Sequence, residues 1–251
     1  MRVQVLTIFP ELFAPFLATS LIGRARNNDL LDVQVFDLRL YTEDRHRSVD
    51  DEPYGGGGGM VMTAPPWVRA VRKLSEGAEG TEGATPWRVL LSPQGRRLDE
   101  AKVRELAGRG DLILLCGRYE GIDERVRESV VDEEISIGDY VLSGGELPAM
   151  VLIEAISRQI PGVVQLAGSV ENDSFRAGLL DFPHYSRPPV FEGKAVPEVL
   201  LSGNHAAIVR WRERMALRAT WEKRPDLLAE ARLTPEQERE LAALKEGRGP
   251  E

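Results

Sequence analysis

Cys116-Gly-Arg-Tyr-Glu-Gly-Ile-Asp-Glu-Arg-Val126 and Glu134-Ile-Ser-Ile-Gly-Asp-Tyr-Val-Leu-Ser-Gly-Gly-Glu-Leu-Pro-Ala-Met150 decide the fold. Each run reads as an apolar strand that breaks into glycine-rich backbone, and the second then continues into a helix. Glycine lets backbone approach a ligand closely, so such loops offer bare N–H and C=O groups. Neither run carries the GxGxxG or GxxxxGK[ST] spacing of a phosphate cradle. A ligand here is expected to be held by loop backbone.

Outward from these runs, the first two-thirds of the chain alternates strand and helix. Strands are expected at Arg2–Ile8, Leu31–Leu38, Arg88–Leu91 and Leu112–Cys116. Helices are expected at Pro10–Asn27, with a break near Thr19, and at Asp99–Gly108 with Asp99 as cap. This rhythm predicts an α/β fold with a mostly parallel sheet covered by helices. Ligands then gather beyond the carboxyl ends of the strands. Ser92–Gly95, Gly117–Gly121 and Ser136–Gly145 are the loops expected there.

The helix after Gly145 is expected to run from Glu146 to Ile160, with Pro148 in its first turn. It is apolar around most of its circumference, which predicts burial against the sheet or a second subunit. Ser75–Pro86 reads as a surface loop. Asp50-Asp-Glu-Pro-Tyr-Gly-Gly-Gly-Gly-Gly-Met60 contains five consecutive glycines. They read either as slack or as a loop whose tip must approach a ligand. Residues 163–177 lack a clear period and mark a linker. Beyond it, Asn204–Lys223 and Thr234–Lys245 predict helices of a small C-terminal domain. The expected organisation is a domain over 1–162, a linker over 163–177 and a mainly helical domain over 178–251.

Composition excludes several classes. The chain has 251 residues, 42% apolar and 29% charged, as in a soluble globular protein. No apolar run reaches the ~20 residues of a membrane helix and no signal peptide is read, so a cytoplasmic protein is expected. One cysteine, Cys116, excludes an intramolecular disulfide. His46, His184 and His205 show no metal-ligand spacing, and no metal site is assigned. A formal charge of −8 opposes bulk electrostatic binding of nucleic acid, and DNA is not an expected partner. The charge is uneven, however: Ile208–Arg224 holds six basic and two acidic residues, enough for a local positive stripe.

Individual residues leave alternatives open. Asp173, in Glu171-Asn-Asp-Ser-Phe175, reads as a solvated turn acid or as a functional carboxylate. Arg158 lies one turn beyond Glu154, where a helical ion pair is its plain explanation. Glu120 reads equally as a surface acid. Arg210, Arg214 and Arg218 share a helical face beside Trp211 and Met215, which suits either solvent or an RNA backbone groove.

Other stretches extend the pattern: Phe9-Pro-Glu-Leu-Phe13, Asp51-Glu-Pro-Tyr-Gly-Gly-Gly57, Leu91-Ser-Pro-Gln-Gly95, Pro183-His-Tyr-Ser-Arg-Pro188, Val196-Pro-Glu-Val-Leu-Leu-Ser-Gly-Asn-His205 and Arg224-Pro-Asp-Leu-Leu228. With the opening runs and Asp173-Ser-Phe175, the chain resembles the bacterial tRNA (guanine-N1)-methyltransferases, the TrmD family of the SPOUT superfamily. Gly58 departs from the proline or other small residue usual there, Ser186 replaces a usual threonine, and the tail after Leu228 matches nothing.

The resemblance implies methyl transfer from S-adenosylmethionine to N1 of guanosine 37 of tRNA, a SPOUT domain with a deep trefoil knot, and an obligate homodimer. It implies a methyl-donor pocket lined by Leu91, Ser92, Pro93, Gln94, Gly117, Arg118, Tyr119, Glu120, Gly121, Ser136, Ile137, Gly138, Tyr140, Val141, Leu142, Gly144, Gly145 and Pro148. Asp173 and Arg158 would be catalytic. Asp51, Tyr54, Gly57, Gly59, Ser174, His184, Arg187, Arg210, Arg214 and Arg218 would meet the tRNA. A Mg2+ requirement goes with the family, with no ligands to name. The rival readings are another SPOUT RNA methyltransferase and a non-catalytic RNA-binding protein. A dehydrogenase is disfavoured because GxGxxG does not follow the first strand.

Overall fold

The computed structural model describes residues 1–76, 85–164 and 173–246. The chain divides into two compact units, Met1–Gln165 and Leu166–Glu251. Most of the predicted Ser75–Pro86 loop (77–84) and half of the predicted linker (165–172) lie outside the described residues.

The first unit is built on five parallel strands in the order β2-β1-β6-β5-β7. These are β1 (Arg2–Thr7), β2 (Asp32–Asp37), β5 (Trp87–Arg97), β6 (Asp111–Cys116) and β7 (Glu133–Ser136). β3 (Asp50–Asp51) and β4 (Val61–Met62) form a separate antiparallel pair. The central strand β6 explains the layering. Leu112, Leu114 and Cys116 face one apolar cluster, while Ile113 and Leu115 face the other. A strand covered on both faces must be continuously apolar, and the run Leu112–Cys116 is.

Helices cover both faces: α1 (Phe13–Ala18), α2 (Ser20–Asn27), α4 (Glu100–Ala107) and α6 (Glu146–Ser157) on one, α3 (Ala64–Glu76) and α5 (Glu124–Val130) on the other. α1 and α2 separate where Thr19 is extended, at the expected break. The Asp99 carboxylate accepts from the Lys102 N–H and starts α4, as expected.

Three elements differ from the expectation. β5 does not end at Leu91. It continues through Ser92-Pro-Gln-Gly to Arg97, with a register shift against β7 between Leu91 and Arg96. Proline and glycine made that stretch look like a loop, whereas here they form an irregularity inside a strand. α6 ends at Ser157 rather than Ile160, and Arg158 is its C-cap. Ser75 and Glu76, placed in a loop, belong to α3.

α6 buries one face against the sheet through Ala149, Leu152, Ile153 and Ile156. Leu147 and Val151, one turn apart, stay 59% and 46% exposed in the single chain. No helix among the described residues is long and apolar enough to cross a membrane.

In the second unit, the helices His205–Lys223 and Pro235–Lys245 pack through Leu217, Leu241 and Trp221. Asn204 caps the first, and a Thr234–Gln237 capping box starts the second. A short hairpin pairs Val190–Phe191 with Lys194–Ala195.

Candidate active site

All eighteen residues expected to form the methyl-donor site line one pocket at the carboxyl edge of the sheet. Sheet order explains its position. β1 is followed by β2 on one side and flanked by β6 on the other, so the connections diverge at that edge.

Two glycine-rich segments are stitched together to make the floor. The Gly145 N–H donates to the Gly117 carbonyl at 2.9 Å, and Arg118 and Gly144 form an antiparallel bridge. A Cβ on Gly145 would lie 2.7 Å from the Cys116 Cα, so only glycine permits this approach. Tyr119 adopts φ 60°, a left-handed conformation rare for a large side chain, which marks a strained turn held by its surroundings. Apolar Leu91, Ile137 and Pro148 share the walls with the Ser92 and Ser136 hydroxyls and open backbone. Such a donor set fits an adenosine ring and ribose. Tyr140, Val141 and Leu142 stand largely exposed.

The glycine run Gly55–Gly59 feeds into this pocket's edge. The Glu120 N–H donates to the Met60 carbonyl at 3.0 Å, Met62 N–H to the Gly121 carbonyl, and Asp123 N–H to the Met62 carbonyl. Gly59 has φ 88°, and a side chain there would collide with the Glu120 carboxylate. Gly58 lacks both constraints. Gly58→Ala is therefore expected to raise stability by about 0.4–1 kcal/mol through the unfolded chain. Gly59→Ala should lower both Tm and methyl-donor affinity. Thermal unfolding and calorimetric titration of the two variants check the contrast. Asp51 and Tyr54, earlier in the same loop, are exposed, Tyr54 fully so.

Four pocket residues were missed: Ile122, Arg127, Ile135 and Ser143. Arg127 Nη1 donates to Gln94 Oε1 at 2.5 Å and lies 3.0 Å from Glu134 Oε2, so it fixes the Gln94 amide. No local signal marks Arg127, because Gln94 is 33 residues away. Cys116 is fully buried, and burial pushes its thiol well up, with the Glu146 carboxylate adding to the effect. It packs as a hydrophobe and is not a nucleophile.

Arg158, half-buried at the end of α6, belongs to the first unit. Asp173 belongs to the second, at the start of a tight turn. There the Arg176 N–H donates to the Asp173 carbonyl and the Gly178 N–H to the Phe175 carbonyl, while the Ser174 hydroxyl accepts from the Asp181 N–H. Glu171 and Asn172 of the same run lie outside the described residues.

Further along, His184 Nε2 lies 2.9 Å from Asp181 Oδ2, and its ring stands 4.7 Å from that of Phe182. Arg187 is exposed. Of the arginine face, Arg210 is exposed, Arg218 pairs with Glu222 at 2.8 Å, and Arg214 lies 3.6 Å from Glu240 on the neighbouring helix. Arg212, which no sequence motif marks, lies over the Phe182 ring at 4.8 Å. Among the described residues, no three His, Cys, Asp or Glu side chains converge as a metal site.

The sheet and pocket together define an α/β protein with a pocket built from glycine-rich loops at its carboxyl edge. The family is more specific. Residues 1–230 match the model of the tRNA (Guanine-1)-methyltransferase TrmD family. The chain is similar to the tRNA (guanine-N(1)-)-methyltransferase of Moorella thermoacetica, 53% identical over 99% of this chain and 98% of the relative. It is 54% identical to those of Stutzerimonas stutzeri, over 96% and 95% of the two chains, and Escherichia coli, over 98% and 94%. The chain belongs to this family.

Proposed function

We propose that the protein transfers the methyl group of S-adenosylmethionine to N1 of the guanosine at tRNA position 37, beside the anticodon, as a cytoplasmic homodimer. The observation that carries the reading is the convergence of two glycine-rich segments and the Leu91–Gln94 stretch on one pocket, in a chain whose family is named for guanine-N1 methylation.

The methyl donor supplies an electrophilic methyl on a sulfonium that leaves neutral. The remaining work falls to the protein. N1 of guanine carries a proton at neutral pH, so a base must take it, and Asp173 is the residue in that role. A carboxylate of ordinary pKa about 3.9 is a weak base for this proton, each unit of mismatch costing roughly 1.4 kcal/mol. Arg158 would place a cation near guanine O6, where negative charge grows as N1 loses its proton. No Mg2+ ligands are assigned.

Leu147 and Val151 give α6 an apolar face that the single chain leaves open. A two-fold partner seated there would supply the Asp173 turn to the neighbouring pocket. The deep trefoil knot of the SPOUT superfamily would occupy the same carboxyl edge. Arg210, Arg214, Arg218, Ser174, His184 and Arg187 of the second unit would each meet the tRNA, as would the Asp51–Gly59 loop of the first. Arg210→Ala and Arg218→Ala should each reduce the salt slope of tRNA binding by about one, as each lost phosphate contact releases one counterion fewer. Fluorescence titration at several salt concentrations measures it.

A non-catalytic RNA-binding protein would not need the glycine-built pocket. Equilibrium binding of radiolabelled S-adenosylmethionine to the protein alone separates the two: micromolar-range saturation supports the methyltransferase, and absence of binding overturns it.

A further inference from the structure

Glu146 is the first residue of α6 and is 1% exposed, yet it does not line the pocket. Its Oε1 accepts from the Thr7 hydroxyl at 2.7 Å, at the end of β1. Its Oε2 accepts from Arg118 Nε at 2.9 Å. Arg118 does line the pocket, and its guanidinium lies 4.6 Å from the centre of the Phe9 ring. The Thr7 oxygen in turn accepts from the Phe9 N–H at 2.9 Å. A side chain at Gly144 would collide with Arg118, and its Cβ would lie 2.6 Å from Glu146 Oε2. Gly144 is thus bare so that the ion pair can pass beneath the loop.

A buried carboxylate is tolerated only where it is paired, and this one has an arginine, a hydroxyl and a helix N-terminus. The plain explanation is a structural ion pair joining β1, α6 and the Gly117–Gly121 loop. The pocket's chemistry requires more of it. Arg118 without Glu146 would present an uncompensated positive charge to a ligand that is itself a sulfonium cation.

We propose that Glu146 is a positioning residue for the methyl-donor pocket, holding Arg118 in one orientation and cancelling its charge, so that the arginine does not disfavour the cationic donor relative to its neutral product. This rests on the S-adenosylmethionine reading of the pocket. The donor differs from S-adenosylhomocysteine by one positive charge at sulfur. A merely structural ion pair would affect both ligands alike, whereas charge compensation must affect the donor more.

Calorimetric titration of the full-length protein with both ligands tests the idea. Glu146→Gln preserves shape and removes the charge. It should weaken S-adenosylmethionine about tenfold and S-adenosylhomocysteine no more than about twofold, a difference typical of one partly screened charge pair. Arg118→Met leaves the carboxylate in place, so it should shift the ratio the opposite way and weaken the product more than the donor. This second variant decides the matter if Glu146→Gln does not fold. Equal weakening of both ligands, or a ratio that moves the same way in both variants, would overturn the proposal. Wild-type protein that binds neither ligand would instead overturn the cofactor reading on which it rests.

Discussion

Asp173→Asn is expected to lower kcat by about 10²–10⁴, the usual loss on removing a general base, while S-adenosylmethionine affinity stays within about twofold of wild type. The reasoning is chemical. An amide has nearly the size of the carboxylate but cannot accept the N1 proton, so the guanine nitrogen keeps its hydrogen and is not a nucleophile. The surrounding turn should survive, because the Arg176–Asp173 and Gly178–Phe175 bonds run through backbone carbonyls and the Ser174 bond through its own hydroxyl. Single-turnover kinetics with saturating tRNA and donor isolates the chemical step. Turnover within about threefold of wild type would remove Asp173 from the base's role.

Gly145→Val should abolish donor binding. Even a Cβ at this position would lie 2.7 Å from the Cys116 Cα and 3.2 Å from the Gly117 nitrogen, both backbone atoms that cannot swing aside. The loop must move away from Gly117, breaking the 2.9 Å bond that closes the pocket floor. Donor affinity should fall by at least about a hundredfold, the effect of an Ångström-scale misplacement in an organised site. The apolar core below, from Leu112 to Leu115, is untouched, so secondary structure by circular dichroism should be retained. Normal affinity with normal spectra would mean that the Gly117–Gly145 junction is not part of the donor site.

The strands, the glycine loops and most of the pocket were legible because each rests on local chemistry. β6 is apolar throughout since both of its faces are covered, and the loops need glycine where backbones nearly touch. Helix α3 carried a readable signal that went unused. Pro65 and Pro66 sit in its first turn, and Trp67, Ala70, Val71 and Leu74 are buried at helical spacing. The extension of β5 through Ser92-Pro-Gln-Gly was hidden because proline and glycine signal turns, and only pairing with β7 shows the irregularity. Arg127 and Glu146 were invisible for another reason. Their meaning lies in contacts with Gln94, Thr7 and Arg118, residues distant in sequence. The exposed side of α6, with Leu147 and Val151, looked like part of a fully buried helix because sequence cannot say whether a neighbour comes from the same chain.

The central claim is that this chain methylates one atom of one nucleotide. Incubating the protein with S-adenosylmethionine and an unmodified tRNA transcript carrying guanosine at position 37, then digesting and sequencing the RNA by mass spectrometry, tests it directly. The account predicts a single added methyl, on N1 of guanosine 37, and none on a transcript with adenosine in its place. A methyl on a ribose, on another base or at another position would contradict it, as would an unmodified tRNA despite donor binding.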